Sequence, residues 1–335
     1  METKKIYFTA PKTVEVLTSE IRDPSPDAVQ VKTAISCISS GTEKANLVGG
    51  FAVGGDGKPP QYPIISGYSS AGVITKVGDN VKDFKVGDRV AIRWSTHSEI
   101  QNVPQKQIYK IADNVSFENA AFAHISIFPL AAIRKCRLEI GESAIVMGLG
   151  VLGLFAIKLL RVAGAAPIVA VDPDPKKREK ALAIGADYAL DPYAEDFAAT
   201  AKKITNGGAK VGIEVTGIGA GLDGILDCMA RFGRVALLGC TRDKNFTIDY
   251  YLKVHHPGIT LIGAHTMARP IEESHEGWWT QGDDMKAILK LMEMGRLDLA
   301  SVRDEVHSPV EAPEVYKRLA EQPSFPVTQF DWRLL

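Results

Sequence analysis

At 335 residues, 45% hydrophobic and 24% charged, the chain is long enough for two ordinary domains with sizeable cores. A formal net charge of −1 leaves no global field to recruit nucleic acid or an anionic membrane; no apolar run is long enough to span a bilayer, and Met1–Pro11 shows no signal-peptide pattern. The cysteines, Cys37, Cys136, Cys228 and Cys240, are scattered and form no C-x-x-C pair, which points to reduced thiols in a cytoplasmic protein and away from a disulfide framework or a zinc ribbon.

Residues 4–20 alternate in part between apolar and polar (Ile6, Phe8; Val14, Val16), which predicts a β-hairpin. Further strands are expected at 28–34, 72–78 and 88–92, with Gly and Asp turns between them, and many short strands suggest a small, partly open barrel. The Gly-rich stretch 49–60 reads equally as a lid over a site or as an ordinary surface loop.

Val77-Gly78-Asp79-Asn80-Val81-Lys82-Asp83-Phe84-Lys85-Val86-Gly87-Asp88-Arg89-Val90 resembles a signature of the medium-chain dehydrogenases/reductases, the zinc alcohol dehydrogenase superfamily, and the resemblance extends over nearly the whole chain. It implies an α/β protein with a GroES-like, partly open β-barrel catalytic domain and a doubly wound, parallel-sheet Rossmann domain. The barrel domain would take residues 1–125 and the tail 266–335, the NAD-binding domain residues 126–265. The resemblance places the active site in the cleft between them and, by analogy, implies a homodimer or homotetramer.

Departures from the family pattern fall on the metal ligands. Ser39-Ser40-Gly41-Thr42-Glu43 puts serine where the zinc-dependent members carry a cysteine. Gly67-Tyr68-Ser69 replaces Gly-His-Glu, and of the third ligand segment, Ala120-Ala121-Phe122-Ala123-His124-Ile125, only His124 can ligate. A catalytic zinc needs about three protein ligands from Cys, His, Asp and Glu, so no zinc is expected. The four-cysteine structural lobe is missing as well. The two motifs together resemble a zinc-less subgroup that includes bacteriochlorophyllide dehydrogenase-like proteins and oxidoreductases of often sugar-related substrates.

The middle of the chain alternates strand and helix, which implies a parallel, doubly wound sheet. The buried run Ala144–Met147 leads into Gly148-Leu149-Gly150-Val151-Leu152-Gly153, a G-x-G-x-x-G turn followed by helical spacing over 154–162 and a second strand, 167–171, that ends on Asp172. Gly148 suits the tight turn, Gly150 the approach of a pyrophosphate and Gly153 close helix–strand packing, with phosphates at the helix N-terminus. Asp172 stands where a carboxylate holds both ribose hydroxyls, which favours NAD over NADP; Lys176, Lys177 and Arg178 weaken that preference only slightly. Strands are expected at 188–190, 211–217, 233–239 and 259–265, and helices at 176–184, 195–205 and 222–229. Thr216, Gly217, Gly239 and Cys240 lie at carboxyl ends of strands, where such sheets bind ligands.

The tail is expected to hold helices at 282–295 and 314–321 and a final strand at 327–332. Met285, Met292 and Met294 read as core, and burial is the plainer reading of Trp278-Trp279.

Without zinc, a protein group must handle the proton of an alcohol. Tyr68 stands at a former ligand position and its phenol can donate or accept. Thr42 matches the proton-relay hydroxyl that the resemblance implies, and Glu43, beside it, serves either catalysis or a structural ion pair. His124 can shuttle protons; Ser40 completes a polar set suited to a polyhydroxylated small molecule. His97 and His265 are weaker candidates. The favoured reading is a metal-independent NAD-dependent oxidoreductase of a hydroxyl or carbonyl substrate, a sugar or polyol in kind, with no nucleic-acid or membrane partner. An NADPH-dependent quinone or enone reductase and a non-catalytic dinucleotide-binding protein are the alternatives.

Overall fold

The computed structural model describes residues 1–50, 59–240 and 245–335. Most of the Gly-rich stretch expected as a lid or surface loop lies outside the described residues. The chain divides into two compact units, Met1–Ile125 with Met285–Leu335, and Ser126–Asp284. No helix among the described residues is long and apolar enough to cross a membrane.

The first unit opens with the expected antiparallel hairpin, β1 (Glu2–Ala10) and β2 (Thr13–Glu20), in which Ile6 pairs with Val16 and Phe8 with Val14. Next comes β3 (Ala28–Cys37), buried at every position but Lys32. It runs on past the predicted end at Ala34, because its last residues pair with a strand from the far end of the chain. A short helix, α1 (Ser40–Leu47), then takes up residues for which the sequence suggested no element. The strands β4 (Ile64–Ile65), β5 (Ser69–Val77), β6 (Arg89–Arg93), β7 (Ile100–Pro104) and β8 (Ile108–Lys110) follow. After them α2 (Phe117–Ala120) starts at Ser116, whose hydroxyl accepts from Asn119 N–H, and α3 (Ala123–Lys135) carries the chain across the division between units.

The second unit holds one six-stranded sheet, all of whose pairings are parallel. Its strands are β9 (Ala144–Met147), β10 (Ile168–Val171), β11 (Tyr188–Leu190), β12 (Ala209–Glu214), β13 (Met229–Leu237) and β14 (Thr260–Gly263). The spatial order β11-β10-β9-β12-β13-β14 reverses direction between β9 and β12, and the carboxyl ends at such a switch point are where ligands bind. Four helices connect the strands: α4 (Val151–Ala163), α5 (Pro175–Ala183), α6 (Phe197–Ile204) and α7 (Gly219–Asp227). The helix expected to reach Met229 stops at Asp227 because Met229 already pairs with Ala209 as the first residue of β13. β9 and β10 are buried at every position, as their unbroken apolar runs require.

The stretch 266–284, expected with the tail, groups with this second unit. Asp284, fully buried, explains why: its carboxylate pairs with Arg134 and Arg269, each at 2.9 Å. Trp278 and Trp279 are half-buried and not part of the core; Arg134 lies 3.6 Å over the Trp279 ring and Lys135 4.5 Å over Trp278. Burial lowers the Lys135 pKa to about 8, although its ammonium donates to Gly263 O and Ala268 O.

From α8 (Gln281–Glu293) the chain returns to the first unit. Met285 and Met292 are core as expected; Met294, past the helix end, is exposed. The strands β15 (Glu305–His307) and β16 (Thr328–Asp331) complete the larger sheet, in the order β15-β16-β3-β5-β6-β8 with β7 also paired to β3, beside a small sheet β2-β1-β4. Between them lies α9 (Ala312–Glu321), whose buried residues Ala312, Val315, Tyr316 and Leu319 recur at helical spacing. That stripe packs in one cluster with Ile6, Phe8, Leu47, Phe330 and Trp332, where full burial of each large side chain contributes roughly 1.5–3 kcal/mol.

Candidate active site

In the second unit the glycines of the first turn divide their work. Gly148 has φ +98°, a conformation that strains any other residue. A Cβ on Gly153 would lie 1.9 Å from the Gly148 carbonyl oxygen, so only glycine lets α4 start this close to β9. A Cβ on Gly150 would meet nothing within 4 Å; this glycine is the N-cap of α4 and faces open space. The N–H groups of Val151 and Leu152, in the first turn, have no carbonyl partner within the helix, which makes this end a ready anion site.

Asp172 closes the other side of the loop. Its Oδ2 accepts from Leu149 N–H and its Oδ1 from Asp174 N–H, both at 2.9 Å, with Lys177 Nζ 3.9 Å away. Each oxygen keeps a second lone pair for a ribose hydroxyl. Arg178, by contrast, is committed elsewhere, donating to Asp172 O, Pro173 O and Asp191. These residues fit a nicotinamide dinucleotide.

Thr216, Gly217, Gly239 and Cys240 come together at the ends of β12 and β13. A Cβ on Gly239 would lie 2.3 Å from Gly217 N, and one on Gly148 2.9 Å from Thr216 Cγ2. The residue that shapes this turn, Glu214, was not singled out in the sequence. Its buried carboxylate accepts from Thr216 N–H at 2.7 Å, from the Thr216 hydroxyl and from Gly217 N–H. Burial pushes its pKa up, against the lowering effect of those hydrogen bonds. Cys240 is exposed.

In the first unit, Tyr68 is half-buried just before β5, and its hydroxyl donates to Ser39 Oγ. Ser39 is the N-cap of α1, yet its side chain makes no capping bond. A serine at this position ordinarily accepts from the first turn, worth about 1 kcal/mol; here the hydroxyl faces Tyr68 instead. The Ser39 N–H donates to Glu43 Oε1 at 2.7 Å. Ser40 and Thr42 are half-buried in the first turn of the same helix.

His124, buried in the first turn of α3, contacts Tyr68 O through Nδ1 at 2.7 Å. A carbonyl only accepts, so Nδ1 carries the proton; the longer contact from Trp94 N–H, at 3.4 Å, yields to it. Trp94 itself was missed in the sequence. It has φ +57°, is 37% exposed, and sets its ring 4.6 Å from His124 and 5.8 Å from Tyr68. Backbone strain of this kind clusters at functional sites.

Glu43 lies deeper, 2% exposed, and accepts from Tyr316 Oη and from His97 Nε2 at 3.2 Å. Burial, with the adjacent Glu43 charge, holds the Tyr316 phenol well above its ordinary range, so it stays a donor. His265 is exposed and lies in the second unit.

The residues do not fit a catalytic zinc. Ser40 and Tyr68 are poor ligands, His124 is a single imidazole, and Glu43 is engaged by three buried donors. Among the described residues, no group of three or more His, Cys, Asp and Glu is placed to hold a metal ion.

A parallel sheet with a glycine-rich turn at its switch point, in one chain with a unit in which Tyr68 contacts both Ser39 and His124, is the architecture of a nicotinamide-dependent oxidoreductase. The chain belongs to the medium-chain dehydrogenase/reductase superfamily of alcohol dehydrogenase type: residues 25–133 match the alcohol dehydrogenase GroES-like domain and residues 151–277 the zinc-binding dehydrogenase family. It is 28% identical over 236 residues to an (R,R)-butanediol dehydrogenase of Bacillus subtilis (strain 168), covering 61% of this chain and 68% of that protein. To a D-guloside 3-dehydrogenase of Shigella flexneri it is 26% identical over 255 residues, covering 75% and 72%. The crystal structure of 2R,3R-butanediol dehydrogenase from Bacillus subtilis shares the fold, with a TM-score of 0.83 at 24% identity, covering 98% of this chain and 99% of that one. The protein is therefore an enzyme, an oxidoreductase of the alcohol dehydrogenase type.

Proposed function

We propose that this enzyme oxidises a hydroxyl of a sugar or polyol with NAD, without a catalytic metal, and that Tyr68 exchanges the proton. The observation that carries the reading is the Ser39 hydroxyl, turned from its helix to Tyr68 at a position where the metal-dependent pattern has its ligands.

Bound nicotinamide supplies the hydride acceptor. The chain's residues manage the proton. With its own proton directed to Ser39 Oγ, the Tyr68 oxygen offers a lone pair to a substrate hydroxyl. Once half-buried Tyr68 has released that proton to solvent, the buried Ser39 hydroxyl donates to the phenolate, which takes the substrate hydroxyl proton as the C–H leaves as hydride. His124 holds the Tyr68 backbone through the carbonyl. Ser40 and Thr42 supply hydroxyls, and Trp94 an aromatic face, to a polyhydroxylated substrate. The two relatives named above for a diol and a sugar derivative support that class. NAD is favoured over NADP because a 2′-phosphate would meet the Asp172 carboxylate while Arg178 is already engaged. Reduced thiols, three of them buried, support a cytoplasmic setting.

The test is reduction of NAD⁺ and, separately, NADP⁺ by chelator-dialysed enzyme across sugars, polyols and simple alcohols. NAD⁺-dependent turnover that survives chelation is expected. Activity lost on chelation and restored by zinc would overturn the metal-independent reading. NADPH-dependent reduction of enones with no alcohol oxidation would replace it with the reductase alternative.

A further inference from the structure

Five buried side chains of the first unit form a hydrogen-bond network whose direction can be worked out. Trp332 Nε1–H can only donate, and it donates to Ser36 Oγ at 2.8 Å. Glu43 Oε2 accepts from His97 Nε2–H at 3.2 Å, which in the neutral imidazole leaves Nδ1 to accept the Ser36 hydroxyl proton, 2.6 Å away. Tyr316 Oη–H donates to the same Oε2. The two carboxylate oxygens are thus divided: Oε2 is pinned by two side chains of the scaffold, while Oε1 is left for Ser39 N–H. Hydrogen bonds on both oxygens restrain the carboxylate, so it holds the backbone from which the Ser39 hydroxyl projects.

The same network reaches Tyr68 from the other side. His97 N–H donates to Ser66 O at 2.7 Å, and a Cβ on Gly67 would lie 2.6 Å from the His97 ring. Gly67, with φ +88°, therefore packs its bare backbone on that imidazole immediately before Tyr68. One ring holds the strand entry of Tyr68 and, through Glu43, the helix entry of Ser39.

We propose that Tyr316 and His97 are positioning residues for the reaction: through Glu43 and the Gly67 backbone they set the Ser39 and Tyr68 hydroxyls against each other. This rests on Tyr68 as the group that exchanges the proton. It also gives the returning tail a task in the chemistry, since α9 supplies Tyr316 and the segment after β16 supplies Trp332.

Full-length enzyme labelled with 3-fluorotyrosine tests the proposal by ¹⁹F NMR, with the Tyr68 resonance identified by its loss in Tyr68→Phe. Tyr316→Phe keeps the ring against Phe8 and Phe330 and removes only the hydroxyl. It is expected to move the Tyr68 resonance and shift its titration midpoint by about half a pH unit or more. In kinetics, Tyr316→Phe is expected to lower kcat about tenfold, and to cost nothing further in a Tyr68→Phe background, because residues acting as a unit are non-additive. Should Tyr316→Phe fail to fold, Glu43→Gln, nearly isosteric, takes its place in both measurements. An unmoved Tyr68 resonance, or an equal kcat loss in both backgrounds, would overturn the positioning role. A Tyr68→Phe enzyme with wild-type kcat would instead sink the proton-exchange reading, whatever the NMR shows about the geometry.

Discussion

Glu214 and Glu43 are both buried carboxylates beneath candidate site residues, yet they organise their surroundings differently. Glu214 takes its hydrogen bonds from residues 216 and 217, all within the turn that follows it. Glu43 takes one from Ser39 and two from side chains far away, Tyr316 being 273 residues distant in sequence. The nucleotide-binding unit builds its site from local backbone, and the first unit builds its own from long-range side-chain contacts. Local devices tolerate drift elsewhere in the chain; long-range ones tie the chemistry to the integrity of the whole unit.

The largest effect is expected where the local device has no room. Gly153→Val drives a side chain into the Gly148 carbonyl, and overpacking of that severity costs about 3 kcal/mol or more. Thermal melting should fall sharply, and fluorescence titration should show NADH binding weakened beyond measurement. Normal NADH affinity in this variant would break the assignment of the turn.

That turn was legible because it is local. Gly148, Gly150, Gly153 and Asp172 stand at fixed spacings within one strand–turn–helix–strand unit, and Gly148, Gly153 and Asp172 each have a steric or hydrogen-bonding cause there. The parallel strands were legible for the same reason, through unbroken apolar runs. In the first unit, the types Tyr68, Glu43 and His124 stood out but their partnerships did not. Ser-Ser-Gly-Thr favours a helix poorly, and α1 forms there with Glu43 bonded back to Ser39 N–H and Leu47 buried in the core. No pattern in sequence joins Glu43 to Tyr316, or reveals that Trp94 adopts a left-handed backbone. The tail boundary was missed because the pair of Asp284 with Arg134 is likewise distant, 150 residues apart in sequence.

A smaller effect sharpens the comparison on the Glu214 side. Its folded pKa is raised above the ordinary 4.5, so the protonated form favours the folded state. The stability it lends is fully present below about pH 4.5 and is lost as pH rises through the folded value. Glu214→Gln cannot ionise, so its stability relative to wild type should rise with pH from 4.5 upward. Urea unfolding at several pH values checks this; a constant difference would mean that Glu214 is not desolvated as the fold implies.

The most direct measurement is kcat for alcohol oxidation by metal-free Tyr68→Phe, with NADH affinity determined on the same sample. A tyrosine that exchanges the substrate proton should be worth about a hundredfold in kcat, while NADH affinity stays at the wild-type value, since the dinucleotide residues lie in the other unit. A kcat near wild type, or activity in either protein that appears only when zinc is added, would contradict the account.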